Sequence, residues 1–183
     1  MKKVLFIFAS LLIITSAFAF EKGTVDVGGT ASLSMHKADS DAETLTTISV
    51  SPLIGYFVAE NTCVDGTFLY ESQSQDDESI SIVGIGIGAR HFFNRFYAGA
   101  DLQFQSQSID FGNDGSWLSG TSTVSGTFIQ PKIGVLVPLS TSVFIDCGAA
   151  YQIGFGSWGG DGSGDNETTN LKFQFGLHYF FKR

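Results

Sequence analysis

Over most of its length the chain places apolar side chains at every second position, and a period of two is the spacing of a β-strand with one greasy face. In the last segment Leu171, Phe173, Phe175, Leu177, Tyr179 and Phe181 share one face. Asn170, Lys172, Gln174, Gly176, His178 and Phe180 occupy the other. Phe96, Ala98, Ala100, Leu102 and Phe104 repeat the pattern, as do Val143, Ile145, Cys147, Ala149, Tyr151, Ile153 and Phe155. The alternation predicts eight strands, at about residues 24–35, 45–58, 63–73, 79–93, 96–107, 123–137, 143–156 and 168–181. The fourth slips phase between Ile82 and Ile85, which predicts a β-bulge near Val83-Gly84.

Ahead of the strands stands an export leader. Met1-Lys2-Lys3 supplies a basic start, residues 4–14 an apolar run, and Ala17-Phe18-Ala19 the small-x-small site that a signal peptidase reads. Residues 1–19 are expected to be removed, with Phe20 the first mature residue and 20–183 forming one domain. No cysteine follows the cleavage site, so lipid attachment there is not indicated. Beyond the leader, no apolar stretch approaches the roughly 20 residues of a membrane-spanning helix. An exported chain of this kind enters a membrane only as a closed β-barrel, because a barrel satisfies every backbone group internally.

The connections between the expected strands alternate in length. Residues 59–62, 94–95 and 138–142 are short turns; 36–44, 74–78, 108–122 and 157–167 are mostly longer and rich in Gly, Ser, Asp and Asn. Outer-membrane barrels have this asymmetry, with short periplasmic turns and longer external loops. A soluble β-sandwich also alternates, but its outer faces carry Lys and Glu, whereas here charged residues are only 15% of the chain and the polar face is Gly, Ser, Thr and Gln. Aromatics crowd the ends next to the short turns (Tyr56, Phe57, Phe92, Phe93, Phe96, Tyr97, Tyr179 and Phe181), where an interfacial girdle belongs. The fold expected is therefore all-β, an eight-stranded antiparallel up-and-down transmembrane β-barrel. The different class to be separated from it is a soluble barrel carrier, which needs an apolar interior and a polar exterior. With 18 acidic against 10 basic residues the chain is a poor partner for nucleic acid.

Three segments resemble the small outer-membrane β-barrel domain family, the group that includes the barrel of outer membrane protein A. Ser51-Pro52-Leu53-Ile54-Gly55-Tyr56-Phe57-Val58 resembles that family's second strand entering its first short turn. Gly88-Ala89-Arg90-His91-Phe92-Phe93 resembles its fourth, with an inward arginine followed by aromatics. The terminal strand, with Phe173, Phe175, Leu177, Tyr179 and Phe181, resembles the aromatic strand read by the barrel-assembly machinery, although Lys182-Arg183 extends past the usual aromatic end. The resemblance implies residence in a Gram-negative-type outer membrane, with outer-membrane lipid and the assembly machinery as partners. It implies a structural and cell-surface role in which the barrel anchors and the external loops make contact.

Parity points Asp26, Asp65, Glu71, Arg90, Asp101, Lys132, Asp146 and Lys172 into the barrel. Eight strands leave an interior just wide enough for side chains to fill, so these charges form either a salt-bridged plug or the lining of a narrow path for ions or small solutes. Lys132 should lie near Asp101 or Asp146, on the strands that flank its own. The loops hold most of the acids: Asp39, Asp41, Glu43, Asp76, Asp77, Glu78, Asp110, Asp114, Asp161, Asp165 and Glu167. They form a solvated surface, or one that binds divalent cations or basic partners; residues 161–167 lack the spacing of a calcium loop. Trp117 and Trp158 are candidate surface anchors or headgroup contacts. Cys63 and Cys147 fall on opposite walls with opposite parity and are expected to be free thiols. His36, His91 and His178 have no Ser or Cys placed to form a nucleophile–base set. No enzymatic activity, metal or cofactor is expected.

Overall fold

The computed structural model describes residues 19–37, 44–75, 78–111, 120–155 and 169–182. These form eight strands: β1 (Thr24–Lys37), β2 (Thr44–Ala59), β3 (Thr62–Gln75), β4 (Glu78–Phe93), β5 (Phe96–Phe111), β6 (Gly120–Pro138), β7 (Val143–Phe155) and β8 (Thr169–Lys182). Each pairs antiparallel with its sequence neighbour, and β1 pairs with β8 to close the barrel. The closing seam pairs Thr24–Ala31 of β1 with Phe175–Lys182 of β8, so backbone there is satisfied within the wall, the condition for backbone to sit in hydrocarbon.

The wall is inside out relative to a soluble protein. Ile85, Ile133, Phe173 and Phe175 face outward and are 64–69% exposed, while Asp26, Arg90, Asp146 and His178 face inward and are 2% exposed or less. An exterior of Ile, Val, Leu and Phe over a polar interior needs hydrocarbon as its solvent. That arrangement excludes the soluble carrier. The strands are 13 to 19 residues long, more than the roughly 9–11 needed to cross a bilayer. The surplus lies towards the long loops, where the outer wall turns from apolar to hydroxyl. Ser72, Ser81, Ser108 and Thr123 pair in one row across β3–β6, with Ser106 and Ser125 just below them.

Two features depart from the sequence expectation. Pairing is unbroken along both sides of β4, so there is no bulge at Val83-Gly84. Ile82 is an inward apolar residue, 8% exposed, that fills the interior; alternation reads it as a phase slip because it is apolar on the polar face. The register shift falls instead at Phe57–Ala59 in β2, beside the turn Glu60-Asn61. The aromatic girdle is also smaller than its sequence footprint. Tyr56, Phe93, Phe96, Tyr179 and Phe181 face outward, but Phe57, Phe92 and Tyr97 point inward and are 0–3% exposed.

Asn61 (φ 56°) and Asn94 (φ 64°) adopt the left-handed backbone that closes two of the short turns, a conformation Asn tolerates better than most side chains. At the same end of the barrel Lys182 pairs with Glu21 and holds its carboxyl below the ordinary range. Both side chains are well exposed, and exposed pairs contribute little. Glu21→Gln is expected to leave the urea unfolding midpoint unchanged at neutral pH, at low and at high salt.

Candidate functional site

The interior is stacked in layers from the short-turn end. The first is an apolar cork of Phe20, Phe57, Cys63, Phe92, Tyr97, Leu136, Phe144 and Phe180, none more than 7% exposed. Apart from Phe20, its rings come from strands around the circumference, and Phe144 meets Phe180 edge-on at 5.2 Å while Phe92 meets Tyr97 at 5.6 Å.

Above the cork the ladder sets two rows of charge side by side. Asp26, Gly55, Asp65, Gly88, Asp101 and Gln130 are successive partners across β1–β6. Arg90, Gly99, Lys132, Ala150 and Lys172 are successive partners across β4–β8. From Asp26 to Asp101 and from Arg90 to Lys172 charged side chains alternate with small residues, and the second row lies one inward position nearer the short turns. A barrel this narrow seats such bulk only because the intervening positions have almost none. A Cβ on Gly88 would lie 1.9 Å from Asp101 Oδ1 and 2.9 Å from Asp65 Oδ1; one on Gly55 would lie 2.6 Å from Cys63 Sγ. Gly88→Ala must therefore displace both carboxylates and is expected to cost about 1–3 kcal/mol of unfolding free energy, the range for overpacking. Equilibrium urea unfolding of the variant in lipid vesicles checks this.

The rows interlock as ion pairs. Arg90 donates through Nε to Asp65 and through Nη2 to Asp26, each at 2.7 Å. Lys132 Nζ lies 2.7 and 2.8 Å from the two oxygens of Asp101 and 3.6 Å from Asp65. Lys132 thus pairs with Asp101 and not with Asp146. Asp146 instead accepts from the Tyr97 hydroxyl at 3.0 and 3.1 Å and faces His178 Nε2 at 3.4 Å. The other ring nitrogen, Nδ1, is 2.8 Å from Asp26. The ring thus lies between the two carboxylates, one at each nitrogen. Four aspartates, Arg90, Lys132 and His178 make one continuous network in which every aspartate faces a nitrogen of Arg90, Lys132 or His178, although Asp65 Oδ1 and Asp101 Oδ1 are buried without a hydrogen bond.

Glu71 and Lys172 lie nearer the loops, 3.5 Å apart, with Gln73 Nε2 donating to Glu71 at 2.9 Å. Between that pair and the main network is a cavity of about 80 Å³, lined among others by Thr30, Ser51, Gln103, Gln130 and Gln174. At roughly 30 Å³ per water in the liquid, it has room for about two or three. Arg90, Tyr97 and His178 form part of its lining, so the cavity ends on the charge network.

Sequence reasoning missed Tyr97 and His178 as interior partners, and saw Phe20 only as the first mature residue. Tyr97 shares the parity of Asp101, and His178 that of Lys172, so alternation alone locates both; their aromatic or turn-proximal character hid them. Cys63 is buried in the cork, Cys147 lies on the outer wall, and both are free. His91 is exposed and shares a hydrogen bond with Thr62 at 3.0 Å. Trp117, Trp158 and the loop acids Asp39, Asp41, Glu43, Asp76, Asp77, Asp114, Asp161, Asp165 and Glu167 lie outside the described residues, as does His36's side chain. Among the described residues no three metal-ligating side chains converge.

Three solved structures similar to this chain are eight-stranded outer-membrane barrels. The crystal structure of Neisserial surface protein A superposes with a TM-score of 0.58 at 17% identity, covering 90% of this chain and 99% of that one. The attachment invasion locus protein Ail of Yersinia pestis gives 0.54 at 13% identity over 87% and 99%. The N-terminal β-barrel domain of Pseudomonas aeruginosa OprF gives 0.52 at 12% identity over 88% and 100%. No protein-family model and no curated protein sequence matches the chain. At these identities the likeness is one of fold.

Proposed function

We propose that the protein is an integral outer-membrane protein whose barrel is a closed anchor and whose long loops form a contact surface outside the cell. The observation that carries this is the filled interior. An aromatic cork and a continuous network of paired charges, with Arg90, Asp26 and His178 at most 2% exposed, leave the barrel wall and the loops as its working surfaces. The export leader, the even strand number and the apolar outer wall support an outer-membrane location with both chain ends at the periplasmic face. Two of the similar structures, a surface protein and an attachment invasion protein, agree with a role in surface contact.

An epitope inserted at residue 163 is expected to be labelled by antibody on intact cells, and one inserted at Ser140 only after the outer membrane is permeabilised. The reverse pattern, or labelling of neither without lysis of the whole cell, overturns the proposed topology.

A further inference from the structure

We propose that Phe20 is a built-in stopper: a side chain outside the strand ladder that fills an aromatic receptor at the short-turn mouth and seals the interior from that side. The receptor is made by rings from four separate strands. Phe20 lies 5.0 Å from Phe57 of β2, 4.9 Å from Phe92 of β4, 6.1 Å from Phe144 of β7 and 4.6 Å from Phe180 of β8. It therefore sits among the rings and touches opposite sides of the mouth at once.

Its backbone is held separately, by one turn residue. Phe20 N–H donates to the Asn61 side-chain oxygen and Asn61 N–H donates to the Phe20 carbonyl, each at 2.9 Å. Asn61 is fixed in turn, since its own carbonyl accepts from Phe92 N–H at 2.8 Å. The left-handed conformation of Asn61 thus closes the β2–β3 turn and also builds a clamp for an incoming chain. Ala19, the residue before Phe20, is exposed.

β1 starts only at Thr24. Phe20 is joined to the barrel by a ring in a pocket and a reciprocal pair of hydrogen bonds, and it can leave without any strand pairing being broken. The pocket it vacates has the size and apolar character of a benzyl group. The mouth is in this sense a binding site for an aromatic side chain at the start of an extended segment, occupied by the protein's own residue.

Cys63 reports on the seal, because it is fully buried in the same cork. The full chain carrying Cys147→Ser is expressed, recovered from membranes in detergent and treated with a charged methanethiosulfonate reagent. Folding is verified beforehand by faster migration on unboiled gels. Phe20→Ala is expected to raise the rate of Cys63 modification at least tenfold. Asn61→Gly keeps the left-handed turn and the backbone N–H but removes the side-chain half of the clamp, and should raise it several-fold. Leu69→Ala opens a comparable cavity on the inner wall away from the mouth and should leave the rate within twofold. An unchanged rate in a folded Phe20→Ala barrel, or an equal rise in Leu69→Ala, overturns the stopper; should Phe20→Ala fail to fold, an unchanged rate in Asn61→Gly does so.

Discussion

Arg90→Met is expected to lower the unfolding free energy in phospholipid vesicles by roughly 3–5 kcal/mol, the penalty for leaving buried charges without their partner. Arg90 is the sole described contact joining Asp65 to Asp26, and both carboxylates have side chains with no exposure. Removing the guanidinium leaves Asp65 with Lys132 at 3.6 Å and Asp26 with His178, and each of those partners already serves a second aspartate. The cost arises from the charges left behind rather than from the worth of the pair. Neutralising them should therefore recover much of it: Asp26→Asn with Asp65→Asn in the Arg90→Met background is expected to be more stable than Arg90→Met alone. If the triple variant is no better than the single, the network is not what sets the stability of the interior.

Ile133→Arg is expected to cost roughly 2–4 kcal/mol, the range for a cation on the lipid face near the middle of a bilayer. Ile133 is 64% exposed on the outer wall, and its ladder neighbours Ala98 and Ala149 give an arginine no acid to meet. On a soluble protein the same substitution would be nearly neutral, as surface changes usually are. Ser125→Arg lies on the same face of the same strand, beyond the apolar band, and should cost no more than about 1 kcal/mol because the penalty fades towards the interface. Vesicle unfolding titrations of the two variants side by side map where the hydrocarbon ends on β6. Equal, small costs would place that wall in water.

Much of this architecture is legible in the sequence because a barrel wall obeys one strong rule. Alternation must hold over every strand when one side is lipid, so Phe173 to Phe181 and Phe96 to Phe104 betray their faces without help from tertiary context. The same rule puts Asp26, Asp65, Arg90, Asp101 and Lys132 on the inner wall. It says nothing about which of them meet. Pairing depends on how far the strands are staggered as the sheet closes, and that stagger sets Lys132 beside Asp101 while turning Asp146 to His178 and Tyr97. Ile82 misleads for a related reason: an interior of packed side chains accepts apolar residues, and alternation has no way to tell a filler from a bulge. Phe57, Phe92 and Tyr97 look like girdle residues because the cork and the girdle lie at the same end of the barrel. The place of Phe20 in the cork escapes, since it belongs to no strand and its role comes from a turn residue 41 positions away.

Single-channel recording of the refolded barrel in a planar bilayer tests the closed interior most directly. A cork of rings over a network of paired charges gives a flat current trace under applied voltage, in a preparation whose folding is confirmed by its gel shift. Reproducible conductance steps, changed in size or ion preference by Lys132→Gln, would contradict it and make the interior a path.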